Sequence, residues 1–410
     1  MRTIYLPALA LLLGLSPLAR GAEAAFPRFR VQEIETGLKV GYAVLPVDVN
    51  EDGKIDIVVV DAHRVVWYEN PTWQRHTIIE GQTKPDNVCI AAADIDGDGH
   101  LDLALGADWK PFNTQSGGTL QWLKRGKTLA EPWTLYPIDT EPMVHRIRFA
   151  DINGDGKPEL LSVPLMGRNS TKENNWMDGL PVRITAYHIP KDPTKDRWTP
   201  EVLNESLHVI HNFHPIPARG GEGVDILTAS YGGVHLLSRN NDNKWSLRHL
   251  GVGNQDNLQS NRGASEIKQG QLKSGTKYIA TIEPWHGYQV VVYTPPADPS
   301  QQLWTRQVLD DQLKWGHAVW CADLTHDGDE ELIIGVRDDL SMKPGQRRGV
   351  RIYKALDGKG EKWARTIIED GGVAVEDLAA ADFNGDGRLD LIAVGRQTGN
   401  ARIYWNEGTK

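Results

Sequence analysis

The stretch Asp382-Phe-Asn-Gly-Asp-Gly-Arg-Leu-Asp390-Leu-Ile-Ala-Val394, followed by Ala401-Arg-Ile-Tyr-Trp405, decides the fold. Oxygen-bearing residues alternate along a tight, glycine-punctuated loop. A short run of branched apolar residues follows at strand length, then a second such run with aromatic residues. Runs this short, bounded by turn residues, read as β-strands and not as helices. Working outward, the same unit recurs along the chain. Each copy opens with an aromatic residue on a short alternating strand: Phe29, Trp73, Trp133, Trp198, Trp245, Trp304 and Trp363, spaced 44 to 65 residues apart. No amphipathic helix interrupts them. Seven repeats of four strands each predict an all-β, seven-bladed β-propeller. The first aromatic strand lacks three strands before it, and the last repeat lacks its fourth. The N-terminal strand is therefore expected to complete the last blade and remove an open sheet edge.

Five repeats carry Asp-x-[Asp/Asn/Thr]-x-Asp-Gly-x-x-[Asp/Glu]. They are Asp48/Asn50/Asp52/Asp56, Asp94/Asp96/Asp98/Asp102, Asp151/Asn153/Asp155/Glu159, Asp323/Thr325/Asp327/Glu331 and Asp382/Asn384/Asp386/Asp390. Alternating oxygen ligands on a sharp turn suit a hard cation, Ca2+ or Mg2+. The expected role is a structural clip between the inner and second strands, with Thr325 making the sixth-blade loop the weakest.

The chain has 410 residues and a formal net charge of -9. Many of its acids fall in these loops, so the charge defines no partner, and no basic stripe points to nucleic acid. Arg2, an apolar run from Ile4 to Leu18 and Ala22-Glu23-Ala24 read as a cleaved signal peptide over residues 1–24, leaving one propeller domain over 25–410. No second long apolar run follows. We therefore expect a secreted or periplasmic protein without membrane insertion; its oligomeric state is not legible. Cys89 and Cys321 fall on distant blades and are expected to be free thiols.

The repeat also aligns the residue six before each loop's first Asp, near the start of each inner strand. That register holds Tyr42, Val88, His145, His317 and Glu376. Aligning the fourth blade adds His211, and the fifth offers Arg262. Loops on the same face present Trp109, Lys110, Arg168, Tyr231, Glu283, Trp285, His286, Arg337 and Arg396, a set suited to binding a sugar. The insertion from Met166 to Leu180, with Asn174-Asn175-Trp176, is expected to form a lid. No Ser-His-Asp elbow, phosphate loop, HExxH or CxxC motif is present. His145, His211, His317, Arg262 and Tyr42 are the expected catalytic set. His or Tyr would abstract a proton beside a carbonyl, with Arg262 or a divalent metal at the His ring holding the enolate.

The loops and strands together resemble the FG-GAP or VCBS repeat family over residues 29 to 406, a likeness specific for fold and not for function. A narrower likeness lies in His145 to Arg168, His208-Val-Ile-His211-Asn, Arg262-Gly-Ala-Ser-Glu266, Glu283-Pro-Trp-His286-Gly and Trp315-Gly-His317. These resemble the propeller of the aldos-2-ulose dehydratase family, which removes water from oxidised sugars. That family's fungal enzyme continues into cupin domains, whereas this sequence ends after the last blade. The resemblance implies a carbohydrate-active lyase acting by β-elimination on a keto-sugar or a uronic-acid-containing glycan. The alternative is a non-catalytic propeller that binds sugar or protein.

Overall fold

The computed structural model describes residues 24–240, 242–298, 300–337 and 343–409. Apart from Ala24, the expected signal peptide lies outside the described residues. Among those residues the elements are 28 β-strands in seven four-stranded antiparallel sheets, with no helix. Each sheet is one blade, and its strands follow chain order from the pore outward. The expected closure is present. Phe29–Glu35 pairs antiparallel with Ala401–Asn406, Phe29 opposite Asn406, and becomes the outer strand of the seventh blade.

The second strand of each blade explains the apolar runs. Asp56–Asp61, Asp102–Ala107, Glu159–Pro164, Glu331–Val336 and Asp390–Gly395 are buried at every position. Such a strand is covered on both faces by neighbouring blades, so both faces must be apolar. The repeat aromatics pack across blade boundaries. Trp73 lies 6.0 Å from both Phe383 and Trp405 of the seventh blade, and Trp363 meets Tyr278 of the fifth at 5.2 Å. Cys89 and Cys321 are free, as expected.

The five acidic loops share one hydrogen-bond pattern. The amide of the Gly after the third acid donates to the first Asp: Gly53 to Asp48, Gly99 to Asp94, Gly156 to Asp151, Gly328 to Asp323 and Gly387 to Asp382, at 2.8 to 3.0 Å. These glycines have φ of 83 to 89°, a left-handed turn that would strain any side chain. Each closing acid accepts the amide just after the first Asp, as Asp390 does from Phe383 at 3.2 Å. The loops follow the inner strands, so they lie at the opposite end of the blades from the register of His145.

Candidate active site

Five of the seven inner strands carry an irregularity at the register of interest. In blades one, three, four, six and seven the ladder skips one residue: Tyr42, His145, His211, His317 and Glu376. A bulge leaves its residue unpaired and re-aims the side chain, here into the pore mouth. Val88 holds the same level in blade two, its amide donating to Gly106 at 2.9 Å.

Blade five corrects the sequence reading. Its equivalent residue is Ser265, whose amide donates to Ile282 at 2.9 Å just as that of Val88 does to Gly106. Arg262 falls three residues early because the chain first turns at Gly263 (φ 70°), which bridges to Asn254. The Arg262 guanidinium lies 5.8 Å from the Tyr231 ring and outside the mouth cavity.

That cavity measures about 160 Å³. It brings together His145, His211, His317, Tyr42 and Val88 on one level, with His286 added from a loop. Trp109, Trp285, Trp315, Arg337, Glu376 and Arg396 form its walls. The imidazoles interlock: ring centroids are 4.8 Å apart for His145 and His211, 5.2 Å for His211 and His317, and 4.9 Å for His286 and His317. His145 and His317 are each anchored by the next blade. His145 Nδ1 donates to the His211 carbonyl at 3.1 Å, and His317 Nδ1 to the Glu376 carbonyl at 2.6 Å. A carbonyl only accepts, so the proton sits on Nδ1 and each neutral ring offers its Nε2 lone pair. His211 Nδ1 lies 2.7 Å from Glu266 Oε1, although the two atoms are not aligned for a hydrogen bond. Its Nε2 faces His286 Nε2 at 2.7 Å, so at most one of the two carries a proton.

Burial holds all four histidines well below the usual imidazole range, with nearby charge reinforcing it: Arg146 first for His145 and His211, and Arg337 for His317. Neutral imidazoles are what a metal requires. One donor atom each from His211, His286 and His317 lie within 4.8 Å of one another, and this donor set fits a divalent transition metal.

Glu376 is clamped by Arg337 and Arg396, each at 2.8 Å. Arg337 lies over the Trp315 ring and Arg396 over Tyr42, both at 5.0 Å. Tyr42 donates its hydroxyl to Asp86 at 2.8 Å. Burial pushes its phenol far above its ordinary range, with Arg396 opposing and Asp86 reinforcing the shift. Tyr42 is thus a poor base.

Four expected binding residues do not line the cavity. Glu283 is fully buried within its blade, accepting from Arg306 at 2.7 and 2.9 Å, Tyr293 at 2.6 Å and Thr281 at 2.9 Å. Tyr231 is buried behind Trp285, 6.1 Å away edge-on. Arg168 pairs with Glu141 at 2.8 and 2.9 Å, and Lys110 lies 3.5 Å from Asp108. Residues missed by the alignment lie one step on. Arg146, 3.4 Å from His145 Nε2, lines the channel below the mouth with Glu266 and Asp377. The signal for them was the charge on alternate residues of the inner strands, as in His145-Arg-Ile-Arg148.

The five acidic loops expected to hold cations, with that of blade six the weakest, differ in how each meets its own charge. Among the described residues, the acidic loop that gathers three carboxylates within 4.8 Å is that of blade two, with Asp94, Asp96 and Asp98. Asp96 Oδ1 is buried there without a partner, an arrangement that fits a hard cation. Lys124 pairs with Asp96 and lies 3.2 Å from Asp98, but one ammonium faces four acids once Asp102 is included.

In blades one, three and seven the expected ligands turn to neighbours instead of to one another. Asn50 accepts the Asp52 amide at 3.1 Å, and Asp52 pairs with Lys54 at 2.9 Å. Asp155 is exposed and accepts the Lys157 amide at 2.8 Å, while Asn153 donates to Glu159 at 3.3 Å. Asn384 and Asp386 are both exposed: Asn384 donates to Asp386 at 3.1 Å, and Arg388 donates to the same carboxylate. Asn50, Asp155, Asn384 and Asp386 thus join no three-carboxylate cluster. An asparagine at the second position brings no charge, and the loop's own amides and cations satisfy the third acid. In blade six the Lys354 ammonium lies among the ligands, 2.6 Å from Thr325, 2.5 Å from Asp327 and 3.0 Å from Glu331.

Comparison with known proteins agrees with this architecture. Residues 117–296 match the family model "Aldos-2-ulose dehydratase, beta-propeller domain", and residues 48–105 and 336–393 match the FG-GAP-like repeat. Aldos-2-ulose dehydratase from Phanerodontia chrysosporium is 26% identical over 303 residues, 68% of this chain. The chain aligns with about a third of that relative's length, 32%. Among solved structures, BBS1N in complex with ARL6DN aligns with TM-scores of 0.54 (soaked with lead) and 0.52 (soaked with mercury). Both are 12% identical, cover 95% of this chain and 99% and 100% of theirs, and bear on the fold alone. The chain is thus a seven-bladed propeller with FG-GAP-like repeats, similar over blades two to five to the β-propeller domain of aldos-2-ulose dehydratase.

Proposed function

We propose that this chain is a carbon–oxygen lyase that performs dehydratase-type β-elimination on a keto-sugar at the mouth of its propeller. One observation carries the reading: four neutral histidines from different blades, three buried and His286 half-buried, converge on one small cavity walled by tryptophans and arginines. A purely structural strand end has no need to gather titratable groups in this way. The similarity to aldos-2-ulose dehydratase supports the same chemistry.

In this reading His145 is the general base. Its Nδ1 is fixed on a backbone carbonyl, so Nε2 takes the proton from the carbon beside the substrate carbonyl. The same imidazole can return that proton to the departing oxygen. Arg337 and Arg396 take the charge-stabilising role expected of Arg262, their positive field exceeding the single negative charge of Glu376. His211, His286 and His317 would hold a divalent metal, which when bound supplies Lewis-acid polarisation of a carbonyl. Trp109, Trp285 and Trp315 supply flat surfaces for the sugar. Calcium or magnesium in the acidic loops, foremost that of blade two, is proposed as a structural cofactor. Export through the N-terminal leader is proposed as the route to a secreted or periplasmic site of action.

The test is incubation of the metal-loaded protein with a panel of 2-keto sugars and uronic-acid glycans, followed by ultraviolet absorbance of the conjugated enone. Growth of that band with a keto-sugar supports the reading. Binding of the sugars without any band supports the non-catalytic alternative.

A further inference from the structure

We propose that a groove beside the mouth binds a glycosyl unit carried by the keto-sugar, so that the leaving group of the elimination is a sugar and not water. This rests on the lyase reading and names its substrate class. The mouth cavity of about 160 Å³ is smaller than pockets that enclose a drug-sized ligand, roughly 300–1,000 Å³. The neighbouring groove measures about 760 Å³, and Phe112, Trp285 and Trp315 line both, so the two spaces adjoin.

The groove has the composition that a sugar ring needs. Phe112 is 61% exposed and Trp315 45% exposed, so both offer ring surface to a ligand. Amide and hydroxyl groups of Gln115, Gln259, Ser260 and Asn261 surround them, with Lys172 at the edge. The wall is also held in a costly shape. Phe112, Asn175, Trp176 and Trp315 have φ of 63, 52, 62 and 56°, a left-handed backbone that ordinary side chains avoid. Such strain persists only where surroundings enforce it, and it concentrates at ligand sites. Here Trp176 stacks on Phe112 at 5.7 Å, Thr171 is tied to Asp178 at 2.7 Å, and Asn175 donates to the Ser260 carbonyl at 2.8 Å. The insertion expected to be a lid walls the groove and joins blade three to the loop before blade five.

The chemistry balances without a further reactant. For a ketone at C2 of a pyranose, the base takes the C3 hydrogen as a proton. The C–H electron pair becomes the C3–C4 double bond, the C4–O4 bond breaks, and O4 leaves with a proton. If O4 carries a glycosyl unit lying in the groove, that unit departs as a free sugar. An oxidation elsewhere must supply the ketone.

The experiment compares 1,5-anhydrofructose with its 4-O-glucosyl derivative as substrates of the metal-loaded protein, reading enone by absorbance and glucose by enzymatic assay. Binding energy from a remote part of a substrate raises kcat/KM when it is used in the transition state. The expected result is kcat/KM about tenfold or more higher for the glucosylated sugar, with one glucose released per enone. The double variant Gln115→Ala/Lys172→Ala, at two exposed side chains, should remove that preference and leave turnover of the free keto-sugar unchanged. Equal kcat/KM for both sugars, or enone without glucose, overturns the proposal and leaves the lyase reading standing. If neither sugar yields enone, the lyase reading falls and takes the proposal with it.

Discussion

His145 and Tyr42 sit on the same level of the pore, yet their surroundings assign them opposite roles. The imidazole is neutral with its Nε2 lone pair directed by the Nδ1 contact, whereas the phenol is held protonated against Asp86. Tyr42→Phe should therefore lower kcat by less than about tenfold, well short of the roughly 10²- to 10⁴-fold loss that follows removal of a general base. A steady-state assay on an oxidised sugar checks this. Glu283 makes the contrasting case of a residue whose value is structural. It is fully buried with Arg306, whose side chain keeps 27% exposure. Breaking a buried ion pair costs about 3–5 kcal/mol, and Glu283→Gln should fall near about 3 kcal/mol because Arg306 can still reach water. Denaturant unfolding measures that loss. Which way a side chain points decided the misreadings at this scale. The sequence places Glu283, Tyr231, Arg168 and Lys110 near the mouth face. Only packing shows that the first two turn inward and that the other two are taken by Glu141 and Asp108.

At the scale of the element, the acidic loop is the unit most legible in the sequence. Its hydrogen bonds are local, its glycine turn is fixed by backbone sterics, and five copies share the same turn. The bulged start of the inner strand was legible for the same reason wherever an acidic loop anchored the count of six residues. Blade five has no such loop, and the extra turn at Gly263 shifted the count from Ser265 to Arg262. Loop sequence alone did not reveal which loop gathers three carboxylates. The charge at Asp155 and Asp386 is visible in the motif, but the amide and guanidinium that meet it depend on how the loop folds back. Lys354 lies on the third strand of blade six, at the position opposite Glu331, and supplies a positive charge from the protein itself. Lys124 holds the equivalent place in blade two, where it likewise contacts two carboxylates but the loop carries one more acid than that of blade six. We expect Asp94→Ala to lower Tm in calcium and to shrink the further drop caused by chelator. Lys354→Met should lower Tm most in chelator, with calcium restoring part of the loss. Thermal melts with and without calcium test both variants, and an unchanged Tm for Lys354→Met in chelator would contradict the internal-clip account.

The whole molecule is a ring, and a ring gathers residues that the chain keeps far apart. The fold was readable because each blade repeats a local pattern and because the two ends complement each other. Removing Phe29–Glu35 would expose the edge of Ala401–Asn406. We expect that truncated protein to aggregate, as light scattering would show, because an open edge templates pairing with another chain. Metal removal should act on the whole ring through mass action, since cations bound only to the folded form add RT ln(1 + [L]/Kd) to its stability. The histidine cluster at the mouth that could hold a metal was less legible. His211 and His317 came from the register, but His286 completes the cluster from a loop, at a φ of 51°, stacked 4.1 Å over Trp285. Ring closure alone brings these residues into one cavity, and the lyase account depends on that convergence. The most direct test is to compare turnover of an oxidised sugar and Tm for His145→Ala, His211→Ala, His317→Ala and Val88→Ala. The account predicts kcat losses of about 10²-fold or more for each histidine variant with Tm near the parent, and little change in turnover for Val88→Ala. Normal turnover in all three histidine variants would contradict it.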